Sequence, residues 1–430
     1  MKTLVWLLCL ILTAVSCRQV ADQTEMVKFL PVQLIEGYGP FHPGFSPIDN
    51  ASKDSPLWSK TYSEVKGVPT HWNNIQVCHI WLNTHQFIYQ QVLAGHISQI
   101  DYQGLQKGWN WSPDTTKLSE APIKCYLYIL KGFDELTQKW SVKVDTNNNL
   151  DFADEKTIYP EKMDINDPYR YKQAISVQYE VYQQGRVRQM RIPMVLKMYG
   201  GQLLYNFPQH AAVSIKQGTK EHNLLVSSGF TRPDFEVTNL INPSTTLIAK
   251  KVAPKDEIEI DDIIKIDGVS YKNKGVDVYN NWLELEPVNS LEKPYSLQVG
   301  YPFRPFSAKA FASGQLINLD QYRGQYIYID FWAPWCKGCV EDMPALKKLY
   351  QKVDKNKVVF IGVVKDSPER LAKFLAKQPL AWPQIISDST NNLIETYHIV
   401  GLPTSILIDP KGVIIGRNLR PDELGLALNK

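Results

Sequence analysis

Two cysteines spaced two residues apart, Cys336 and Cys339, are the part of this chain best equipped for chemistry. They close the run Asp330-Phe331-Trp332-Ala333-Pro334-Trp335-Cys336-Lys337-Gly338-Cys339. Tyr326 to Trp332 has the texture of a buried strand and Cys336 to about Lys352 that of a helix, so the pair falls at a strand-to-helix junction. When oxidised, two thiols at this spacing form a small ring. A helix start offers free N–H groups and the positive end of the macrodipole, and both favour a thiolate at Cys336. Lys337 adds positive charge nearby. The thiolate is the attacking species in disulfide exchange. Cys339, one turn further into the helix and expected to be more buried, is placed to resolve the mixed disulfide. This chemistry calls for no cofactor.

The elements around the pair follow from the same patterning. Val358 to Val364, Thr404 to Ile408 and Val413 to Ile415 read as strands; Ser367 to Ala376 reads as a helix, and Pro421 opens a last one, as proline does at a first helical position. Strands alternating with helices predict an α/β domain whose central sheet is covered on both faces, over residues 299–430. Pro294, Gly300, Pro302 and Pro305 break the pattern just before it. Residues 29–295 read as β. Ile175, Val177, Tyr179 and Val181 alternate, Gly185 offers a turn, and Val187 to Leu196 returns with Pro193 suited to an edge. Gly200 and Gly201 mark another turn, and Ile264 and Ile266 precede the hairpin signal Asp267-Gly268, with Trp282, Leu283 and Leu285 strand-like beyond it. A mostly antiparallel sandwich or barrel-like region is expected, divided into two subdomains near Asp164 to Tyr169. The whole is a multidomain chain, as 430 residues allow at roughly 150 per domain. A hydrophobic share of 44% excludes wholesale disorder, and a net charge of only +3 with no basic block excludes a dedicated nucleic-acid binder.

Residues 1–16 read as an export signal. Lys2 precedes the apolar run Leu4 to Leu12, which is too short to span a bilayer, and Ala14 and Ser16 suit cleavage after Ser16. Cys17 would then come first, as in a bacterial lipobox, although Ala14 stands where that pattern usually has leucine. A lipid on Cys17 is set against simple secretion, with 17–28 as a tether and the cell envelope or periplasm as the location. Any membrane contact is through that lipid.

The last third of the chain resembles the thioredoxin-fold domains of bacterial exported thiol–disulfide oxidoreductases, the TlpA/ResA-like group. Besides the dithiol run, Pro344 sits where the first helix of such domains kinks, and Gly401-Leu402-Pro403-Thr404 is similar to their cis-proline loop. Ser405-Ile406-Leu407-Ile408-Asp409 and the turn Pro410-Lys411-Gly412 follow in the same order, and Leu316 to Gly324 fits before the first core strand. The resemblance implies that Cys336 attacks and Cys339 resolves. It implies that Asp330 is a buried acid behind the dithiol, its pKa raised so that it accepts a proton near neutral pH. It implies a substrate groove shaped by Pro403 in the cis form, Leu402 and Thr404, with Trp335 as an apolar platform and Asp342 at a modulating acidic position. The partners it implies are disulfides of other exported proteins and a membrane electron donor. One departure is that the second core strand carries no lysine to pair with Asp330; Lys365 lies past its end.

The same residues admit rival readings. Zinc needs about four ligands, and a partner pair is absent. A peroxidase needs Thr or Ser three residues before the nucleophile, where Ala333 stands, and Ile329 replaces its proline. For Cys78 and Cys125 two readings stay open: core thiols, or a structural disulfide worth roughly 4 kcal/mol. A third makes them a redox partner of Cys336. Asp145, Asn147, Asn149, Asp151 and Asp154 alternate like a calcium loop, but Leu150 replaces the turn glycine and Lys156 the closing glutamate, so a polar turn is expected and no metal. His79 and His85 share no ligand spacing, His398 reads as structural, and Asp256 to Asp262 as a solvated acidic surface. The function expected is reduction of exported protein disulfides. The alternative is a ligand-binding lipoprotein with a subordinate thioredoxin-like module.

Overall fold

The computed structural model describes residues 26–48, 55–109, 111–164, 173–217, 219–242, 257–288, 295–399 and 401–428. The signal, Cys17 and most of the tether fall outside them. The strand ladders of the β-rich region are antiparallel among the described residues; the isolated bridges Lys66 to Asp151 and Lys162 to Met198 are parallel. One pair of four-stranded sheets runs Lys28–Pro31, Trp282–Pro287, Val269–Asp277, Ile263–Ile266 and Asn239–Ile241, Lys220–Ser227, Gln209–Gln217, Gln33–Glu36. Val213, Leu224, Ile264, Tyr271 and Leu283 fill the space between them. The expected hairpin forms where Ile266 pairs with Val269, and Asp267 and Gly268 both take positive φ, the geometry of a type I′ turn.

A second core joins Trp72–Trp81, Tyr126–Asp134 and Lys139–Val144 to the sheet containing Ile175–Gln183 and Arg186–Tyr199. Pro193 lies where that last long strand is paired on one side only, opposite Ser176; pairing on the other side starts at Val195. A subdomain split near 164–169 does not follow the packing, because Ile192 and Met194 share one core with Ile80 and Leu127. Residues 165–169 themselves are outside the described set. Two helices, Thr84–Leu93 and Gln99–Gly108, also break the β pattern, capped by Asn83 and Ser98. Their glutamine-rich, weakly two-faced sequences gave little helical signal.

The C-terminal domain has a five-stranded sheet in the order Gln384–Ile386, Val358–Val364, Tyr326–Trp332, Thr404–Ile408, Ile414–Arg417; the first three strands pair in parallel, and Thr404–Ile408 runs antiparallel to both its neighbours. Strand alternation sorts its side chains. Ile327, Ile329 and Phe331 face a core closed by Leu393, Ile394 and Tyr397. Tyr328 and Trp332 face the opposite core, shared with Met343, Leu346, Leu371 and Leu424 of the helices. The sheet is thus covered on both faces.

Candidate active site

The same alternation places Asp330 on the face of Tyr328 and Trp332, the face against which the helix Lys337–Lys352 packs. Cys336 is that helix's N-cap, and its Sγ accepts a hydrogen bond from the Cys339 amide at 3.2 Å. Cys336 and Cys339 form a disulfide. Cys339 is 2% exposed and Cys336 6%, while Trp335 beside them is 60% exposed. The peptide Leu402-Pro403 is cis. A Cβ placed on Gly338, between the two cysteines, would lie 3.6 Å from the Pro403 ring, so the loop and the dithiol are neighbours. Thr404 Oγ1 donates to the Gly401 carbonyl at 2.7 Å and ties the loop to itself.

Asp330 is 4% exposed, between Gly362 on one neighbouring strand and Ser405 on the other. Burial, with the charge of Asp342 as a second cause, raises its pKa to about 7. Among the described residues no cation lies within ion-pair distance of it. Tyr328 shares this pocket, and burial and the Asp330 charge push its hydroxyl well above its usual value. Asp342 is held by Arg420 at 3.3 Å. Arg420 was not foreseen, since nothing in its sequence surroundings marks it. Trp332 donates from its ring to Gln384 at 2.9 Å, and Gly362 makes room for that amide: a Cβ there would fall 2.0 Å from Gln384 Oε1.

Other expectations are revised. Lys337 does not lean over the thiols; it is 89% exposed and 3.9 Å from Glu341, which damps its charge. Cys78 and Cys125 form no disulfide. Cys78 pairs with Ile129, four residues beyond Cys125 along an adjoining strand, a separation of roughly 13 Å that no disulfide spans. They belong to two different cores, both apart from the one that holds Cys336 and Cys339, and burial raises the Cys125 thiol far above its ordinary value. The loop after Val144 closes on its own hydrogen bonds: Asp145 accepts from the Asn149 and Leu150 amides, and Asp154 accepts from the side chains of Asn147 and Asn149. The acidic stretch ending at Asp262 is not a solvated surface. Asp262 is 2% exposed and pairs with Arg417 at 3.2 Å, Glu259 also pairs with Arg417, and Asp261 meets His398 at 2.6 Å. These bonds join the β-rich region to the dithiol domain.

Known proteins match the same part of the chain. The family model of the AhpC/TSA family matches residues 299–417. The thiol-disulfide oxidoreductase ResA of Bacillus thuringiensis subsp. konkukian is 36% identical over 103 residues, 24% of this chain and 59% of the relative, so the chain spans about three fifths of that protein's length. Thioredoxin-like protein YneN of Bacillus subtilis is 33% identical over 127 residues, 29% of this chain and 72% of the relative. A crystal structure of the thioredoxin domain of a thiol-disulfide oxidoreductase from Bacteroides vulgatus, at 29% identity, is covered to 97% by 31% of this chain, with a TM-score of 0.29. Among the described residues no helix is long and apolar enough to cross a membrane.

Proposed function

Since the chain belongs, through its C-terminal third, to the thioredoxin-like proteins of the AhpC/TSA family, we propose that it is an exported thiol–disulfide oxidoreductase that reduces disulfides of other extracytoplasmic proteins. One observation carries the reading: a cysteine pair capping a helix, beside a cis-proline loop and over a buried acid that meets no cation among the described residues. In the reduced protein the Cys336 thiolate attacks one sulfur of the substrate disulfide. That bond breaks, the other substrate sulfur leaves as a thiolate and takes a proton, and Cys336 is joined to the substrate. Asp330, ionised, takes the Cys339 proton. The Cys339 thiolate then attacks the Cys336 sulfur and expels the second substrate thiol, leaving the Cys336–Cys339 disulfide. Two electrons have passed to the substrate, and a membrane electron donor restores the dithiol. Residues 1–16 direct export, and a lipid on Cys17 holds the protein at the envelope.

The test uses the Cys339→Ser protein in its native compartment, with capture of what it binds. Mixed disulfides through Cys336 are expected on non-reducing gels. A clean monomer there, together with undiminished reduction of a model disulfide by Cys336→Ser, would overturn the assignment.

A further inference from the structure

The β-rich region reaches the substrate side of the dithiol. Beside Leu402, Pro403 and Thr404 lies a cavity of about 230 Å³ whose wall includes Glu259 of the β-rich region, with His398 and Arg417. The same three residues line a larger cavity of about 550 Å³ between the two domains. Adjoining at these residues, the two cavities make a groove of two parts, one beside the cis-proline loop and one in the domain junction. Its walls are held by the pairs of Arg417 with Glu259 and Asp262 and of His398 with Asp261.

Two features say what the groove takes. Arg417 lines both cavities; its two terminal nitrogens are held by Asp262 and Glu259, yet its buried Nε–H has no acceptor among the described residues. That nitrogen is closed off from both cavities, and with the guanidinium already paired to two carboxylates the site does not select an anion. The larger cavity is lined by four carboxylates and four lysine or arginine side chains, so no excess of one sign selects a polyanion or polycation. An extended polypeptide supplies a carbonyl and an amide at every residue and suits a polar groove of mixed charge.

We propose that this groove is the second half of the substrate site: the polypeptide flanking the target disulfide lies in it as an extended strand, with the β-rich region as one wall. The substrate class is then proteins with an extended segment beside the cystine, in preference to small disulfides. This rests on the redox reading above and uses the same electron transfer.

The test follows a single turnover of the full chain, reduced with dithiothreitol and desalted. Its substrates are a minimal disulfide peptide and the same peptide lengthened by five residues, about 17 Å of extended chain, at either end. For one of the two extensions, kcat/KM is expected to be about tenfold higher than for the minimal peptide, with the gain in KM. Glu286→Trp and Thr396→Trp, at exposed rim positions on opposite walls, bring the extended-to-minimal ratio towards one. Because the ratio is taken within each variant, any general loss of activity cancels. Equal rates for all peptides, or a ratio that neither tryptophan moves, would overturn the groove. Reduction of no peptide overturns the redox reading instead. Anisotropy of the labelled extended peptide then decides: binding lost in the tryptophan variants supports the groove, and no binding to the unsubstituted chain removes it.

Discussion

Asp330 and Asp262 are almost equally hidden, one in the dithiol domain and one at the edge of the β-rich region, and they are treated in opposite ways. Asp262 has Arg417 at 3.2 Å, the Ser296 hydroxyl at 2.9 Å and the Glu259 amide at 3.0 Å. Burial raises its pKa, but the guanidinium and these donors oppose the rise. Among the described residues Asp330 has no such cation, and burial carries it to about 7. A carboxylate that must stay charged is given partners; one that must exchange a proton near neutrality is denied them. The first builds a joint between domains, and in the proposed reaction the second serves chemistry.

The strongest way to break this contrast is Asp330→Asn. It is expected to slow the Cys339 step by roughly 10²-fold, the lower range for a lost general base, and to remove an inflection near pH 7 from its pH profile. Single-turnover decay of the mixed disulfide reads both. Stability gives an independent check. The folded pKa is raised, so below about pH 4 the group is protonated in both states and costs nothing. Between about 4 and 7 the unfolded chain ionises first and stability falls as pH rises. Three pH units correspond to an upper bound of about 4 kcal/mol. Denaturant titrations at pH 4, 6 and 8 should show a steeper fall in the unsubstituted chain than in Asp330→Asn, where Glu257, also raised to about 7, still contributes; equal slopes would mean that Asp330 ionises freely in the folded state.

Asp262→Asn sharpens the other side. It leaves Arg417, only 12% exposed at its side chain, with Glu259 as its remaining charged partner. Breaking a buried pair from one side costs about 3–5 kcal/mol, and the surviving Glu259 keeps the loss near the lower end. Chemical denaturation measures it. A loss below about 0.5 kcal/mol would mean a pair as weak as those on open surfaces.

The two regions were also unequally legible. In the dithiol domain the strands Tyr326–Trp332, Val358–Val364 and Thr404–Ile408 stand where the apolar runs put them. Strands buried on both faces read as unbroken hydrophobic stretches, the first two of these parallel and Thr404–Ile408 antiparallel to its neighbours. The cis proline beside the dithiol was legible through resemblance, because the loop motif is local. Arg420, Gln384 and the ion pairs of Asp261 and Asp262 were not, because each partner lies far away in sequence: Asp262 and Arg417 are 155 residues apart. A run of acids looks the same whether it meets water or an arginine from another domain. The thiols Cys78 and Cys125 were ambiguous because alternation fixes a strand but not its register.

The smallest effect is expected at Lys337, where the sequence suggested help for the thiolate and the structure turns the charge outward. Its side chain is 89% exposed and next to Glu341, itself 65% exposed. Surface pairs of this kind are worth about 0–1 kcal/mol and are screened by salt. The N-cap position of Cys336 and the Cys339 amide act at contact distance and do not depend on Lys337. Lys337→Gln should therefore change the rate of Cys336 alkylation in the reduced protein by less than about threefold, and by less still at high salt. An effect of Lys337→Gln as large as that of Asp330→Asn would mean that a mobile surface charge governs this site as strongly as a buried one, and the contrast between paired and unpaired acids would lose its explanatory force.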